Sequence, residues 1–275
     1  MVRTDFNRWQ RGRSVWSSML VCMAAAFFIP ASHAASLETA LPTTIERIKP
    51  SIVGIGTLQM TRRPPGKFMG TGFVVGDGSY VLTNAHVIAR NLSSSDKETL
   101  ALFVGERNST SSRELTIVAE DQEHDLSLLK ISGTPLVPLK LGDSDRVREG
   151  ELYAFTGFPI GAVLGLHPVS HRGLISAITP VVTPADGSNQ LNPKIIKRLQ
   201  SPYDVFQLDA TAYPGSSGSP LYHPDSGEVI GVVNSVFIKE TKETVIEKPS
   251  GITYAIPINF AVDLLRRAGI STATK

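Results

Sequence analysis

Short runs rich in Val, Ile, Leu, Phe, Thr and Tyr recur along the chain from residue 52 onward, punctuated by Gly, Pro, Asp and Ser. Such runs are too short for helices, and their residue types suit the pleated, half-buried surface of a sheet. They predict strands near Ile52–Leu58, Phe68–Val75, Tyr80–Thr83, Thr99–Val104, Leu115–Ala119, Leu126–Ile131, Glu151–Gly157, Val169–Ile178, Val205–Ala210, Ser219–Tyr222, Val229–Val236 and Ile252–Ile256. About a dozen short strands with few helical patterns between them indicate an all-β chain, an antiparallel sandwich or barrel, and not an α/β sheet. Helical periodicity is confined to the two ends of this region. PTTIERIK, Pro42 to Lys49, has a proline suited to the first helical position and is stopped by Pro50. Asn259 to Ala268 places Phe260, Ala261, Leu264, Leu265 and Ala268 on one face, with Arg266 and Arg267 in the last turn and Gly269 as the stop. Two stretches read as insertions: Arg90 to Lys97, and Thr183 to Tyr203 with a short basic helix at Lys194 to Leu199.

The N-terminal residues break this pattern. Arg3, Arg8, Arg11 and Arg13 precede an almost entirely apolar segment, Val15 to Ile29, which ends in Pro30 and the small-residue sequence Ser32-His33-Ala34-Ala35. That order matches a secretory signal cleaved after Ala34, making 1–34 a signal peptide and 35–275 the mature chain. An uncleaved anchor is the alternative, although a spanning helix usually needs about 20 apolar residues. The arginines are not paired as in a twin-arginine signal, which favours the general secretion route.

The signal also changes how the composition reads. The 275-residue chain carries 27 Lys+Arg against 25 Asp+Glu, a net charge of +2. Four of those arginines and only Asp5 fall in residues 1–34, so the mature chain is near −1 and offers no basic surface for nucleic acid. The single cysteine, Cys22, leaves with the signal. An exported protein without thiols has neither a disulfide nor a cysteine nucleophile, and core packing alone must hold its fold. No His/Cys/Asp cluster has metal-ligand spacing and no glycine-rich phosphate loop precedes a helix, so neither a metal nor another cofactor is implied.

The chemistry is concentrated in three places. PGSSGSP, Pro214 to Pro220, is either a flexible turn or the seat of a serine nucleophile. A serine hydroxyl is a poor nucleophile until a base accepts its proton, and that base needs an orienting carboxylate. His86 stands in TNAHV at the end of a predicted strand, and Asp125 opens the apolar strand of HDLSLLKI. An acid at the mouth of an apolar strand is expensive to bury unless a charged or hydrogen-bonding group meets it. His167, His171 and His223 occupy loop or strand-edge contexts that suit surface or structural roles.

Together TNAHV, HDLSLLKI and GSSGSPL occur in the order His, Asp, Ser, and at this point the chain resembles the trypsin/chymotrypsin-like serine proteases, specifically the bacterial HtrA/Deg branch. The resemblance extends over KPSIVGIGT, GTGFVVGDGSYVLTNAHVI, PLKLGDSDRVREGE, GEVIGVVNSV and GITYAIPINFAVDLL, most of the mature chain. It implies two antiparallel six-stranded β-barrels, about 35–145 and 146–275, with a short N-terminal and a C-terminal helix. It implies a catalytic triad of His86, Asp125 and Ser217, and an oxyanion hole formed by the N–H groups of Gly215 and Ser217. A glycine at 215 lets the backbone turn sharply and approach the substrate. The primary pocket floor would be Thr211, which is not an acid, so a small or aliphatic side chain is expected there over Lys or Arg. Asn234, Ser235 and Val236 would pair with the substrate backbone as an added strand, with Ser235 supporting the triad aspartate.

Two positions depart from the family pattern. Ser216 stands where digestive members have Asp and the HtrA branch usually Asn, so activation through an ion pair to a new N-terminus is not expected. Ser219 stands where glycine is usual and is expected to place a side chain just past the nucleophile, narrowing the site. The implied function is an exported, periplasmic or secreted serine endopeptidase acting on unfolded or damaged envelope proteins. The alternative is a catalytically weak or inactive binding or chaperone module on the same fold. Polypeptides are the expected partners, without nucleic acid or a stable membrane anchor after signal cleavage, and the sequence offers no support for an oligomer. The PDZ domain usual in HtrA relatives is not expected here. An α/β-hydrolase would need G-x-S-x-G, but the residue two after Ser217 is Ser219.

Overall fold

In the computed structural model, residues 37–88, 97–106, 109–159, 166–181, 202–234 and 251–272 are described. The predicted signal, most of both predicted insertions, Ser235 and Val236 lie outside them. Each of the twelve predicted strand regions contains a strand. β1 (Ile52–Leu58), β2 (Gly66–Val75), β3 (Tyr80–Asn84), β4 (Thr99–Glu106), β5 (Ser109–Asp121) and β6 (Leu126–Ile131) form a closed barrel in the order β1-β2-β3-β6-β5-β4. β7 (Leu152–Gly157), β8 (Val169–Pro180), β9 (Asp204–Leu208), β10 (Pro220–Tyr222), β11 (Val229–Asn234) and β12 (Thr253–Pro257) form a second. Read from β7, its order is β7-β8-β9-β12-β11-β10, the same winding as the first barrel. The ladders are antiparallel, and β1 with β4 and β7 with β10 close the two circles, leaving no unpaired barrel edge.

The continuous apolar runs, which lack a two-residue alternation, reflect burial on both faces. All six residues of β11 are buried, as are six of the seven in β1. One face lines the barrel interior and the other meets a core shared between the barrels. That shared core joins Phe73, Leu82, Leu126 and Leu128 of the first barrel to Phe158, Tyr222, Val232 and Ile256 on the side of the second. Burial of one such leucine is worth about 1.5–3 kcal/mol.

Two helices seal the shared core. α1 (Leu37–Ile48) delivers the buried Ile48, and its Arg47 and Thr44 donate to the carbonyls of Ser226 and Asp225 in the β10–β11 turn. The helix begins earlier than predicted, so Pro42 lies inside it and not at its first position. α2 (Ile258–Arg267) buries Ile258, Ala261, Leu264 and Leu265 on one stripe, as helical spacing requires.

Candidate active site

The sheet order itself brings His86 and Asp125 together. β3 and β6 are neighbours with Asn84 opposite Leu126. The residues just past that end of the ladder are therefore adjacent. His86 sits on a 3₁₀ turn, Ala85–Val87, following β3, and Asp125 immediately precedes β6. The His86 Nδ1 atom is 2.6 Å from Asp125 Oδ2, and the His86 backbone N–H donates to Asp125 Oδ1 at 2.9 Å. A carboxylate only accepts, so Nδ1 carries the proton of this bond, and it is Nε2 that holds the lone pair of the neutral ring.

Asp125 has φ +54°, a left-handed conformation that aspartate tolerates better than most residues. Its carbonyl accepts from Ala85 N and from Asn84 Nδ2 at 3.2 Å, which ties this unusual backbone to the turn that carries His86. Asp125 Oδ2 also accepts from Asn234 Nδ2 at 2.8 Å, across from the second barrel. Three donors thus meet the acid at the mouth of the apolar strand.

A second carboxylate stiffens the turn before Asp125. Asp121 accepts from the backbone N–H groups of Glu123 and His124, from His124 Nδ1 at 3.0 Å and from the Arg267 guanidinium at 2.6 Å. Burial alone would raise its pKa, but the His124 and Arg267 hydrogen bonds outweigh burial and hold the carboxyl down at about 2. The His124 ring stacks on Phe260 of α2 at a centroid distance of 3.8 Å. The C-terminal helix therefore clamps the turn that presents Asp125.

The Pro214–Pro220 segment links β9 to β10 and docks against β2. Ser217 is 4% exposed, and its carbonyl accepts from Thr71 N at 2.9 Å. A Cβ on Gly70 would sit 2.8 Å from Val87 and 3.1 Å from the Ser217 carbonyl oxygen, so Ser217 and the residue beside His86 flank the same point of β2. Gly215 has φ +100°, accessible to glycine and costly for any other residue. Its N–H donates to no acceptor among the described residues, and its carbonyl accepts from Thr71 Oγ1 at 2.7 Å. A Cβ on Gly218 would lie 2.0 Å from the Thr71 carbonyl oxygen, so this second glycine lets the loop lie flat on β2.

The two departures of this loop behave differently from one another. Ser216 donates its N–H to Tyr213 O, while its buried hydroxyl has no partner among the described residues. Ser219 does not narrow the cleft. Its side chain is fully buried and points at Gly157, where a Cβ would fall 1.9 Å from the Ser219 hydroxyl oxygen. The missing side chain at 157 makes the room that Ser219 occupies. Thr211 lies half-buried between β9 and β10.

Among the remaining histidines, His171 stacks on Phe155, and burial lowers its pKa. His223 Nδ1 accepts from the Asp225 and Ser226 N–H groups. Both are structural contacts. Two contributors escaped the sequence reading. Asn234, expected on the substrate strand, is the described side chain that supports Asp125, a part the resemblance gave to Ser235. A polar residue ending a fully buried strand was the available signal, because such a group needs a partner. Thr71, an ordinary strand residue by composition, gave none.

Residues 70–232 match the family model described as the trypsin-like peptidase domain. A probable periplasmic serine endoprotease, DegP-like, from Pseudomonas putida is 27% identical over 90% of this chain and 53% of its own length. The counterpart from Halomonas elongata is 31% identical over 73% of this chain and 37% of its own. The chain thus spans about half the length, or less, of these relatives. An HtrA-type protease solved with a tripeptide superposes with TM-score 0.56 and 26% identity, covering 82% of this chain and 62% of that one. The Rv3671c protease from M. tuberculosis in its active form shares the fold with TM-score 0.58 at 21% identity, covering 84% of this chain and 86% of that one. With two matching barrels, a family match over more than half its length and HtrA-type neighbours, the chain belongs to the trypsin-like peptidase domain family.

Proposed function

We propose that the protein is a serine endopeptidase that hydrolyses peptide bonds through Ser217, His86 and Asp125. The observation that carries this reading is the His86–Asp125 pair, held at 2.6 Å with the imidazole Nδ1 turned to the carboxylate. That orientation leaves Nε2 as the base. His86 takes the Ser217 hydroxyl proton as the oxygen attacks the substrate carbonyl, and returns it to the leaving amine. Asp125, anchored by Asn234, fixes the tautomer and stabilises the imidazolium. The N–H groups of Gly215 and Ser217 stabilise the oxyanion, and water then hydrolyses the acyl-enzyme by the same route. The Gly215 N–H, which has no acceptor among the described residues, supports that assignment.

Thr211, carrying no charge, supports cleavage after small or aliphatic side chains. The periplasmic names of the relatives and the arginine-then-apolar N-terminus support export by a cleaved signal, residues 1–34, with unfolded envelope proteins as substrates. No helix among the described residues is long and apolar enough to cross a membrane. The test incubates the purified 35–275 chain and its Ser217→Ala variant with unfolded casein. Cleavage by the first and not by the second is the expected result. Equal cleavage by both contradicts the assignment, and cleavage by neither moves the weight to the binding or chaperone module.

A further inference from the structure

We infer that Thr71, on the first barrel, is a positioning residue that sets the geometry of the oxyanion-binding N–H pair on the second; this rests on the serine-peptidase reading above. Two residues supply that pair, Gly215 and Ser217. Thr71 holds the carbonyls of both. Its hydroxyl donates to the Gly215 carbonyl at 2.7 Å, and its own N–H donates to the Ser217 carbonyl at 2.9 Å. One residue, 144 positions away from Gly215, thus grips the loop at two points.

The grip transmits to the N–H groups through the peptide planes. The peptide joining Gly215 to Ser216 is pinned at both ends: its carbonyl oxygen by the Thr71 hydroxyl, its N–H by the Tyr213 carbonyl at 2.9 Å. With that plane fixed, only the two dihedrals of Gly215, φ at +100° and ψ, separate it from the peptide that carries the Gly215 N–H. Glycine's wide conformational range makes the pin necessary, since without it the same backbone can rotate into other allowed regions.

Thr71 is itself immobilised. The hydroxyl that donates to Gly215 accepts from the Phe158 N–H at 3.0 Å, just past β7. Its carbonyl accepts from the Thr83 hydroxyl at 2.7 Å on the neighbouring strand. Thr71 is fully buried, as is Thr83, so water does not compete for these bonds. The chain runs from Thr83 on β3, the strand leading to His86, through Thr71 on β2 to Gly215. The base and the oxyanion donors are therefore registered to each other through two adjacent strands of one barrel. An oxyanion donor acts only when aimed at the position the charge will occupy, and a misplacement of about 1 Å costs on the order of 100-fold in rate.

The test compares Thr71→Val, which keeps the shape and removes the hydroxyl, with Thr71→Ser, which keeps the hydroxyl, and Thr71→Ala, which removes the hydroxyl together with the methyl. Thr57→Val serves as the control for a buried hydroxyl lost elsewhere: Thr57 is 1% exposed, and its hydroxyl bonds Glu98 at the far end of β1. Peptide hydrolysis gives kcat and KM, a fluorophosphonate gives the rate of serine phosphonylation, and thermal unfolding reports folding. The expected result for Thr71→Val is a fall in kcat and in phosphonylation rate of about 10- to 100-fold, with KM within about twofold. Thr71→Ser restores kcat to within about threefold of the original. Thr57→Val lowers the unfolding temperature and leaves kcat unchanged. Should Thr71→Val not fold, the comparison is read from Thr71→Ala. Wild-type kcat in the folded Val or Ala variant, or a loss in Thr71→Ser as deep as in Val, overturns the positioning role while the peptidase reading stands. A wild-type protein that neither cleaves nor reacts overturns both.

Discussion

Ser219 and Gly157 form a pair whose exchange can be measured as a coupling energy. Gly157 ends β7, and a Cβ built there meets Ser219 Oγ at 1.9 Å, Thr71 Oγ1 at 2.9 Å and Ser219 Cβ at 3.2 Å. Rotating the Ser219 hydroxyl away relieves the first contact but not the third, and Ser219 is fully enclosed. Gly157→Ala is therefore overpacked and loses about 1–3 kcal/mol of stability. Ser219→Gly alone ranges from neutral to about 2 kcal/mol stabilising. It frees backbone entropy worth about 0.5–1 kcal/mol in the unfolded chain, but removes a buried hydroxyl with no partner among the described residues, whose cost is about 1–3 kcal/mol. In the double variant the alanine methyl takes the space of the serine side chain and only the Thr71 Oγ1 contact remains. Most of the loss is then recovered, giving a coupling of about 1–2 kcal/mol. Urea unfolding followed by circular dichroism, in a Ser217→Ala background that prevents self-cleavage, measures all four proteins. Additivity within about 0.5 kcal/mol, or a Gly157→Ala variant as stable as its parent, refutes the packing argument.

Two further outcomes follow from the carboxylates. Asp121 has its pKa held down at about 2 against 3.8 in the unfolded chain. Its contribution to stability is therefore complete above about pH 4 and disappears as the pH falls through about 2. The shift corresponds to at most about 2.5 kcal/mol, and to about 1–2 kcal/mol after allowing for screening at the exposed Arg267 partner. Asp121→Asn should lose that amount near neutral pH in urea unfolding, with the gap to the parent closing below pH 4; a gap independent of pH contradicts the assignment. Asn234→Leu removes one donor from Asp125 Oδ2, a hydrogen bond to a charged group worth about 1.5–3 kcal/mol, and should lower kcat about 10- to 100-fold while KM stays nearly constant. Unchanged kcat would mean that Asp125 needs no support from the second barrel.

The strands were legible because each is a short β-branched or aromatic run ended by turn residues, a local signal that tertiary packing did not override. Their barrel closure was not visible in periodicity, since β1 and β11 are buried on both faces and show no alternation. It entered through family resemblance. The start of α1 was misplaced because a proline favours a first-turn position locally, whereas the packing of Ile48 and the Arg47 and Thr44 contacts decide where this helix lies. Asp125 announced itself as an acid opening an apolar strand, but its left-handed backbone and its Asn234 partner depend on a strand 109 residues away. Ser219 looked like an obstruction only while Gly157 was unknown as its neighbour. Thr71 has no local signature at all, since threonine is at home in any strand.

The assignment of the nucleophile is tested most directly by mapping where a fluorophosphonate attaches. PGSSGSP offers three serines within four residues, and all three are buried. Only Ser217 has a glycine two residues before it and a carbonyl gripped from β2. Intact mass followed by peptide sequencing of the labelled 35–275 chain should place a single adduct on Ser217, absent after His86→Ala. An adduct on Ser216 or Ser219, or labelling of Ser217 that survives loss of His86 at the original rate, would contradict the account.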